Sequence, residues 1–394
     1  MSTAVEKPLS LMLICGEPSG DQLGGQLMAS LRAFKGDAVN ITGVGGSAMA
    51  AQGLQSLFPL SDTAVMGLRE VVPKIPVILR RVREISDIAL ATRPDAVVLI
   101  DSPDFTHRIA KRLKRIDPAI RTVNYVPPQV WASRSYRARA MARNFDLALA
   151  LLPFEPPFFE KYGLRTIFVG HPVLEREAKM TGGDALRARL GIAADAPLLA
   201  VLPGSRTSEI RFILPMFKHA VEVLTARIPG LVTVLPTVPH VAARVRAATQ
   251  NWATPLHIVE DEAEKYAAFD AADAALAASG TVTTELALAR TPMVAAYRVG
   301  GLTYALARPF FNFAHFTLVN LLLDRRAVPE LLQQDATPNA LADAVAPLLT
   351  DKAAAARQIA VLDEAARRLG EGAEAPSLRA ARALIAFAEE NRVV

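Results

Sequence analysis

Short apolar runs alternate with longer segments in which apolar residues recur every three or four positions, and this alternation covers most of the 394 residues. The short runs are typical of buried strands, and the longer segments have the periodicity of amphipathic helices. Alternation of this kind predicts parallel sheets covered by helices on both faces. The predicted strands are residues 9–15, 40–44, 96–100, 122–126, 147–151, 166–169, 198–202, 232–235, 257–259, 274–277 and 293–296.

The strands form two series, which are separated by a polar, glycine-containing stretch at residues 175–183. We therefore predict two doubly wound α/β domains, residues 1–172 and residues 173–375. Helical periodicity over 353–391 predicts two terminal helices that cross the domains, the last of them (376–394) joining the first domain. Ligands of open parallel sheets bind beyond the carboxyl ends of strands, so two facing sheets are expected to share an interdomain cleft.

Composition is that of an ordinary globular protein, with 51% hydrophobic and 21% charged residues and a formal net charge of +5. The only cysteine, Cys15, lies in an apolar run, which excludes an intramolecular disulfide and a thiolate metal site and favours a reducing cytoplasm. The longest strongly apolar stretch without charge, 309–323, is shorter than the roughly 20 residues that span a bilayer. We expect a soluble or peripheral protein.

Basic residues are concentrated in the first half, where residues 106–145 hold ten Lys or Arg and one acid, Asp117. Such a field attracts phosphates, but no nucleic-acid-binding motif accompanies it, so we expect no nucleic-acid partner. Residues 65–85 mix apolar and basic residues as an interfacial helix does, and Pro73 and Pro76 are expected to break or offset this helix. The alternatives are a solvated surface for the first segment and core packing for the second.

Two acidic residues follow strands of the first series. Glu17 belongs to the glycine-rich GEPSGD sequence at 16–21, and an acid at the carboxyl end of a strand faces the expected cleft. Asp101 lies at the tip of the strand 96–100, where its carboxylate could act as a general base on a hydroxyl. A purely structural role for either residue stays open.

Phosphate-binding features follow two strands of the second series. An arginine in the LPGSR sequence is suited to clamp a diphosphate, and hydroxyls, a glycine and a helix start after the strand 274–277 form a phosphate cradle. A glutamate one turn into that helix could accept from ribose hydroxyls; a plain N-cap box is the alternative. The residues assigned to this site are Ser205, Arg206, Ser279, Gly280, Thr281 and Glu285.

These motifs, in this order, resemble those of lipid-A-disaccharide synthases, a family of glycosyltransferases with the GT-B fold. The resemblance extends over nearly the whole chain. The matching motifs are GEPSGD at 16–21, GVGG at 43–46, AVMGLREV at 64–71, IDSPDF at 100–105, YVPPQVWA at 125–132, LPFE at 152–155, FVGHP at 168–172, LPGSR at 202–206, ASGT at 278–281 and NLL at 320–322.

The resemblance implies inverting transfer of 2,3-diacylglucosamine from its UDP derivative to 2,3-diacylglucosamine 1-phosphate, in lipid A biosynthesis on the cytoplasmic face of the inner membrane. It implies that Asp101 deprotonates the acceptor 6-hydroxyl and that Glu17 orients a sugar. Arg206 and residues 279–281 would then hold the diphosphate, Glu285 the ribose, and Asn320 would lie near the donor. No metal and no cofactor are implied.

Two other functions are compatible with the same residues. A UDP-N-acetylglucosamine 2-epimerase shares the fold and a UDP site but isomerises a soluble sugar. A non-catalytic, membrane-peripheral protein that binds sugar nucleotides would not depend on Asp101. An anionic membrane surface is the expected partner besides the two lipid substrates. A homodimer is a further alternative for the oligomeric state.

Overall fold

The computed structural model of the chain describes residues 7–63, 68–130, 136–300 and 315–390, with residues 68–72 described only as part of a helix. The start of the AVMGLREV motif and the end of the YVPPQVWA motif lie outside these residues. The chain divides into two compact units. Unit 1 consists of Met1–Pro172 and Ala373–Val394, and unit 2 consists of Val173–Gly372.

Unit 1 contains a six-stranded parallel sheet of order β2-β1-β3-β4-β5-β6. The first three strands along the chain lie at one side, and β1 is bonded to both β2 and β3. From this junction the chain proceeds outward in opposite directions, so the loops after β1 and β3 lie at the switch point where ligands bind in such sheets. The strands are β1 (Leu9–Cys15), β2 (Val39–Val44), β3 (Ala96–Ile100), β4 (Thr122–Tyr125), β5 (Leu147–Ala150) and β6 (Arg165–Phe168).

Helices cover both faces of this sheet because its strands are apolar on both sides; all five residues of β3, for example, are buried. One face packs against α1 and the last helix, α16, and the other packs against α3, α4 and α5. The helices are α1 (Pro18–Lys35), α2 (Ser47–Ala51), α3 (Leu68–Thr92), α4 (Pro103–Ile116), α5 (Tyr136–Asn144), α6 (Pro156–Glu160) and α16 (Pro376–Glu389).

The expected break of the interfacial helix is wrong, because α3 continues through both Pro73 and Pro76. Each proline removes one backbone donor from the helix but leaves the turns that follow intact. Those turns place Val82, Ile85 and Ala89 in the core of unit 1, and this packing stabilises the helix.

Unit 2 contains a second six-stranded parallel sheet, of order β12-β11-β10-β7-β8-β9. Here β7 and β10 are neighbours, and the chain proceeds outward from them in opposite directions, so the loops after these two strands lie at the switch point. The strands are β7 (Leu198–Leu202), β8 (Val232–Pro236), β9 (Leu256–Val259), β10 (Ala274–Ala278), β11 (Met293–Tyr297) and β12 (Glu330–Leu332). The three-residue β12 was not among the predicted strands.

The core of unit 2 includes the strands' apolar side chains together with those of α9 and α14. The helices are α7 (Gly183–Leu190), α8 (Thr207–Phe212), α9 (Leu214–Arg227), α10 (Pro239–Ala248), α11 (Glu262–Ala271), α12 (Thr281–Leu288), α13 (Leu318–Leu323), α14 (Pro338–Thr350) and α15 (Lys352–Leu369). The segment Pro172–Lys179, where the chain passes into unit 2, forms 3₁₀ turns.

Candidate active site

The loops after β1 and β3 of unit 1 pack tightly against each other. A Cβ atom on Gly16 would lie 2.7 Å from the Cβ of Ser102, and one on Gly20 would lie 2.9 Å from the Cβ of Cys15 and 3.2 Å from the carbonyl oxygen of Ile100. Glycine is therefore required at both positions for the start of α1 to approach the tip of β3. This approach brings Glu17 and Asp101 to the same edge of the sheet.

Asp101 occupies a strained backbone position at the tip of β3. Its φ is +53° and that of Ser102 is +44°, both in the left-handed region that non-glycine residues seldom adopt. Two hydrogen bonds hold this turn: the Asp101 N–H donates to the carbonyl of Tyr125 at 2.9 Å, and the Thr106 hydroxyl donates to the carbonyl of Asp101 at 2.7 Å. Ser19 Oγ donates to Oδ2 of Asp101 at 3.0 Å, so a residue of the first loop orients the carboxylate of the second.

Glu17 is half-buried at the N-cap of α1, and its side chain makes no cap hydrogen bond. Burial raises the pKa of Glu17, and the negative charge of Asp101 raises it further. Glu17 therefore binds a proton more tightly than a free glutamate does. A pair of neighbouring acids of this kind is suited to bind sugar hydroxyls and to move a proton.

Asp21, the last residue of the GEPSGD motif, has a structural role. It is 4% exposed, and its two carboxylate oxygens accept from the backbone N–H groups of Gly46, Ala48 and Met49 at 2.7–3.0 Å. These groups are the unpaired donors at the start of α2, so Asp21 connects the GEPSGD and GVGG motifs.

Unit 2 contains a cavity of about 320 Å³ between the loops that follow β7, β8 and β10. The structure brings together six of the seven residues predicted to bind the donor, and Asn320 is the seventh. The six that line the cavity are Ser205, Arg206, Ser279, Gly280, Thr281 and Glu285.

The loop after β7 is held by Glu209, a residue that the sequence analysis missed. Its Oε2 accepts from the backbone N–H groups of Ser205 and Arg206 at 2.9 and 3.0 Å, and its Oε1 accepts from Arg206 Nη1 at 2.9 Å. Gly204 has a φ of +109°, and a Cβ there would lie 2.2 Å from Glu209 Oε2. A glutamate three residues after a helix N-cap is a known capping signal, so this contact could have been found in the sequence.

The start of α12 provides donors on the opposite side of the cavity. Gly280, Thr281 and Val282 line it, and a Cβ on Gly280 would meet open space, so a ligand can approach the backbone closely. The first N–H groups of a helix have no intrahelical acceptor, and the helix dipole favours negative charge there. Ser279 Oγ, in contrast, donates to the carbonyl of Phe316 at 3.1 Å.

Glu285 is 4% exposed and lies among three donors. Arg176 Nη1 donates to its Oε1 at 2.8 Å, Tyr266 OH to the same oxygen at 3.3 Å, and Lys265 Nζ lies 3.2 Å from Oε1 and 3.1 Å from Oε2. Neither Arg176 nor Lys265 was predicted, because each reaches the glutamate from a distant part of the chain. Their positive charges compensate for the burial of the carboxylate.

Asn320 is not among the residues that line the cavity, and its expected place near the donor stays a prediction. Its side chain is fully buried; Oδ1 accepts from the N–H groups of Ala327 and Val328, and Nδ2 donates to the carbonyl of Val328, all at 2.8 Å. Both lone-pair directions of the amide oxygen are therefore occupied by backbone donors. The structure gives Asn320 the role of fixing the loop that precedes β12.

The basic helix α3 exposes apolar side chains on its solvent face. Ile75 is 44% exposed and Leu79 is 39% exposed, and Arg80 and Arg83 are exposed on the same helix. Arg81 is different, because Asp62 and Glu84 neutralise it through ion pairs. Among the residues that the structure describes, no helix is long and apolar enough to cross a membrane.

A family model and the curated relatives of this chain point to the same protein family. A family model described as lipid-A-disaccharide synthetase matches residues 11–383. The lipid-A-disaccharide synthase of Rhodospirillum centenum is 52% identical over 379 residues, covering 96% of this chain and 94% of the relative. That of Paramagnetospirillum magneticum is 49% identical over 385 residues, covering 97% of this chain and 98% of the relative.

Solved structures of low sequence identity share the fold. The UDP-GlcNAc 2-epimerase from Neisseria meningitidis bound to UDP-GlcNAc matches with a TM-score of 0.59 at 10% identity, covering 96% of this chain and 99% of that one. Together with the two parallel sheets, this likeness confirms the predicted architecture of two Rossmann-like units. At this identity it shows the fold alone and does not favour the epimerase interpretation.

Proposed function

This chain belongs to the lipid-A-disaccharide synthetase family, and we propose on that basis that it condenses UDP-2,3-diacylglucosamine with 2,3-diacylglucosamine 1-phosphate. The products are lipid A disaccharide 1-phosphate and UDP, so the chain is a hexosyltransferase of lipid A biosynthesis. The observation that carries the proposal is the cavity of unit 2, whose arginine and helix N-terminus are groups that bind a nucleoside diphosphate.

Asp101 is the proposed general base. The acceptor 6-oxygen attacks the anomeric carbon of the donor sugar, the bond from that carbon to the diphosphate oxygen breaks, and the hydroxyl proton passes to the carboxylate of Asp101. Ser19 occupies one oxygen of this carboxylate and leaves the other for the acceptor. Glu17 is the proposed partner that orients a sugar hydroxyl, and burial together with the charge of Asp101 raises its pKa.

The donor is proposed to bind in unit 2. Arg206, whose side chain is 70% exposed, can turn from Glu209 toward a diphosphate, and the N–H groups at the start of α12 can bind the same phosphates. Both would stabilise the negative charge that develops on the departing UDP. Glu285 is the proposed acceptor for ribose hydroxyls.

We propose that α3 meets an anionic membrane surface on the cytoplasmic face of the inner membrane. Both substrates carry acyl chains and reside in a bilayer, so the enzyme must reach them there. Ile75 and Leu79 can insert among the acyl chains while Arg80 and Arg83 contact lipid phosphates, which is how interfacial helices bind.

The experiment that tests the reaction measures UDP release by the purified protein in detergent, with the donor lipid alone and with the acceptor lipid added. We expect acceptor-dependent release that falls at least roughly 100-fold in Asp101→Ala, the scale of a lost general base. Glu160→Gln, which alters an exposed acid at the end of α6, is the control and should stay active. Wild-type activity in Asp101→Ala would remove Asp101 from the mechanism, and UDP binding without any release would favour a non-catalytic binding protein.

A further inference from the structure

Lys265 is a cation of the donor cavity that neither the motifs nor the proposed roles include. It lies on α11, lines the cavity together with Arg206 and Glu285, and its side chain is 26% exposed. Its ammonium lies 4.3 Å from the centre of the Tyr266 ring, a cation–π distance that restrains it at the cavity wall. Its charge is therefore available at the surface that a ligand would contact.

The two oxygens of Glu285 differ in their partners. Oε1 accepts from Arg176 at 2.8 Å and from Tyr266, and Lys265 is a third neighbour. Oε2, among the described residues, has only Lys265, at 3.1 Å. If the ammonium of Lys265 moved away, Glu285 would keep Arg176 as the charged partner of Oε1. Its Oε2 would lose its donor and could accept a hydrogen bond from a ligand.

The balance of charge favours such an exchange. Arg206 already pairs with Glu209, and Arg176 pairs with Glu285, so each cavity carboxylate has a cation without Lys265. Lys265 therefore supplies the surplus positive charge of the cavity. A diphosphate brings negative charge that can bind this ammonium without leaving Glu285 unpaired, because Arg176 stays with it.

We propose that Lys265 is a second cation for the donor diphosphate and that it exchanges partners when the donor binds. The structure pairs its ammonium with Glu285; in the donor complex it contacts a phosphate oxygen, and Glu285 Oε2 becomes free to accept from a ribose hydroxyl. This role rests on the proposed function of the cavity as the UDP-sugar site. It makes Lys265 a binding residue whose contribution depends on the ligand's phosphates.

The experiment compares ligands that differ only in their phosphates. Calorimetric titration of UDP and UMP, with uridine measured by competition against UDP, gives dissociation constants for the full chain and for Lys265→Met, Lys265→Arg and Lys218→Met. Lys218, which donates to the carbonyl of Gln250 at the surface of unit 2, is the matched control. The melting temperature of each variant verifies that it is folded.

We expect Lys265→Met to weaken UDP binding at least about tenfold, the scale of a lost charge-assisted hydrogen bond, and to change uridine binding less than twofold. Lys265→Arg should recover part of the UDP affinity, and Lys218→Met should bind all three ligands as the wild type does. Equal weakening of UDP and uridine would mean that Lys265 acts only through Glu285, and unchanged UDP binding would mean that it contacts no phosphate; either result overturns the assignment. Failure of the wild type to bind UDP would instead reject the donor site itself.

Discussion

Ser19 Oγ donates a 3.0 Å hydrogen bond to Oδ2 of Asp101, so the loop after the first strand orients the carboxylate at the tip of the third strand. The bond joins residues 82 positions apart in the chain. It exists because Gly16 and Gly20 let the two loops approach within van der Waals distance. If Asp101 is the general base, Ser19 is its positioning residue.

We expect Ser19→Ala to lower kcat roughly tenfold with little change in KM, since a hydrogen bond to a charged group contributes about 1.5–3 kcal/mol. Ser19→Thr, which keeps the hydroxyl, should restore most of the activity. Steady-state kinetics of UDP release checks both variants. Equal loss in the alanine and threonine variants would show that the serine only fills space.

Glu17 should make stability depend on pH in the direction opposite to an ion-paired acid. Its pKa is raised in the folded protein by burial and by Asp101, so between the unfolded and folded pKa values the folded state binds more protons. Stability is then complete below the unfolded pKa, about 4.3, and falls as the pH rises through the folded value.

Glu17→Gln removes the ionisation and should raise the melting temperature at pH 7, with the gain shrinking toward pH 4. The same variant should lose activity, because it removes the carboxylate that is proposed to orient a sugar hydroxyl. Glu17 would then be a residue that lowers the stability of the folded protein and is kept for function. Thermal melts from pH 4 to 8 check the prediction, and Glu160→Gln, at an exposed position of α6, is the control. A gain that is the same at every pH would contradict the assigned cause.

Arg206→Ala should weaken UDP binding at least about tenfold and leave the melting temperature nearly unchanged. The Arg206 side chain is 70% exposed, and without it the buried carboxylate of Glu209 keeps the backbone N–H groups of residues 205 and 206 as donors. Titration with UDP measures the effect, and Arg227→Ala, which breaks the exposed pair with Asp343, is a matched control. Tight UDP binding in Arg206→Ala would show that the arginine does not contact the diphosphate.

The sequence predicted the strand ends well, because strands buried on both faces have continuous apolar runs that are easy to recognise. This is why Asp101, Arg206 and residues 279–281 could be placed at the carboxyl edges of their sheets. The strand β12 was missed because it has only three residues and includes Glu330, a glutamate that is buried because it accepts from the backbone N–H groups of Phe316 and Thr317.

Contacts between distant segments could not be predicted in the same way. Arg176 and Lys265 reach Glu285 across 109 and 20 positions of the chain, and no spacing rule connects them. Asn320 lies in a motif that matches the family pattern, and the motif alone suggested a place near the donor. In the structure its amide is hydrogen-bonded to the backbone of Ala327 and Val328. A motif therefore predicts which residue types recur together, while only the folded chain shows which of them face a ligand.

Asn320→Ala should lower stability by about 1–3 kcal/mol, because it leaves the N–H groups of Ala327 and Val328 without their buried acceptor. UDP binding by the folded variant should change less than about threefold. Chemical denaturation and titration measure the two quantities, with Asn339→Ala, at an exposed position of α14, as control. Unchanged stability together with lost UDP binding would restore Asn320 to the donor site.

Membrane binding should depend on both charge and apolar contact at α3. We expect the purified protein to co-sediment with anionic vesicles at low salt and to be released as salt rises, because exposed charges are screened over about 10 Å at 0.1 M salt. Ile75→Ser combined with Leu79→Ser should reduce binding at every salt concentration. Ile116→Ser is the matched control, since this isoleucine is 47% exposed at the end of α4. Equal binding by the double variant and the wild type would assign the attraction to charge alone, and failure of the wild type to bind would mean that the exposed face of α3 meets only water.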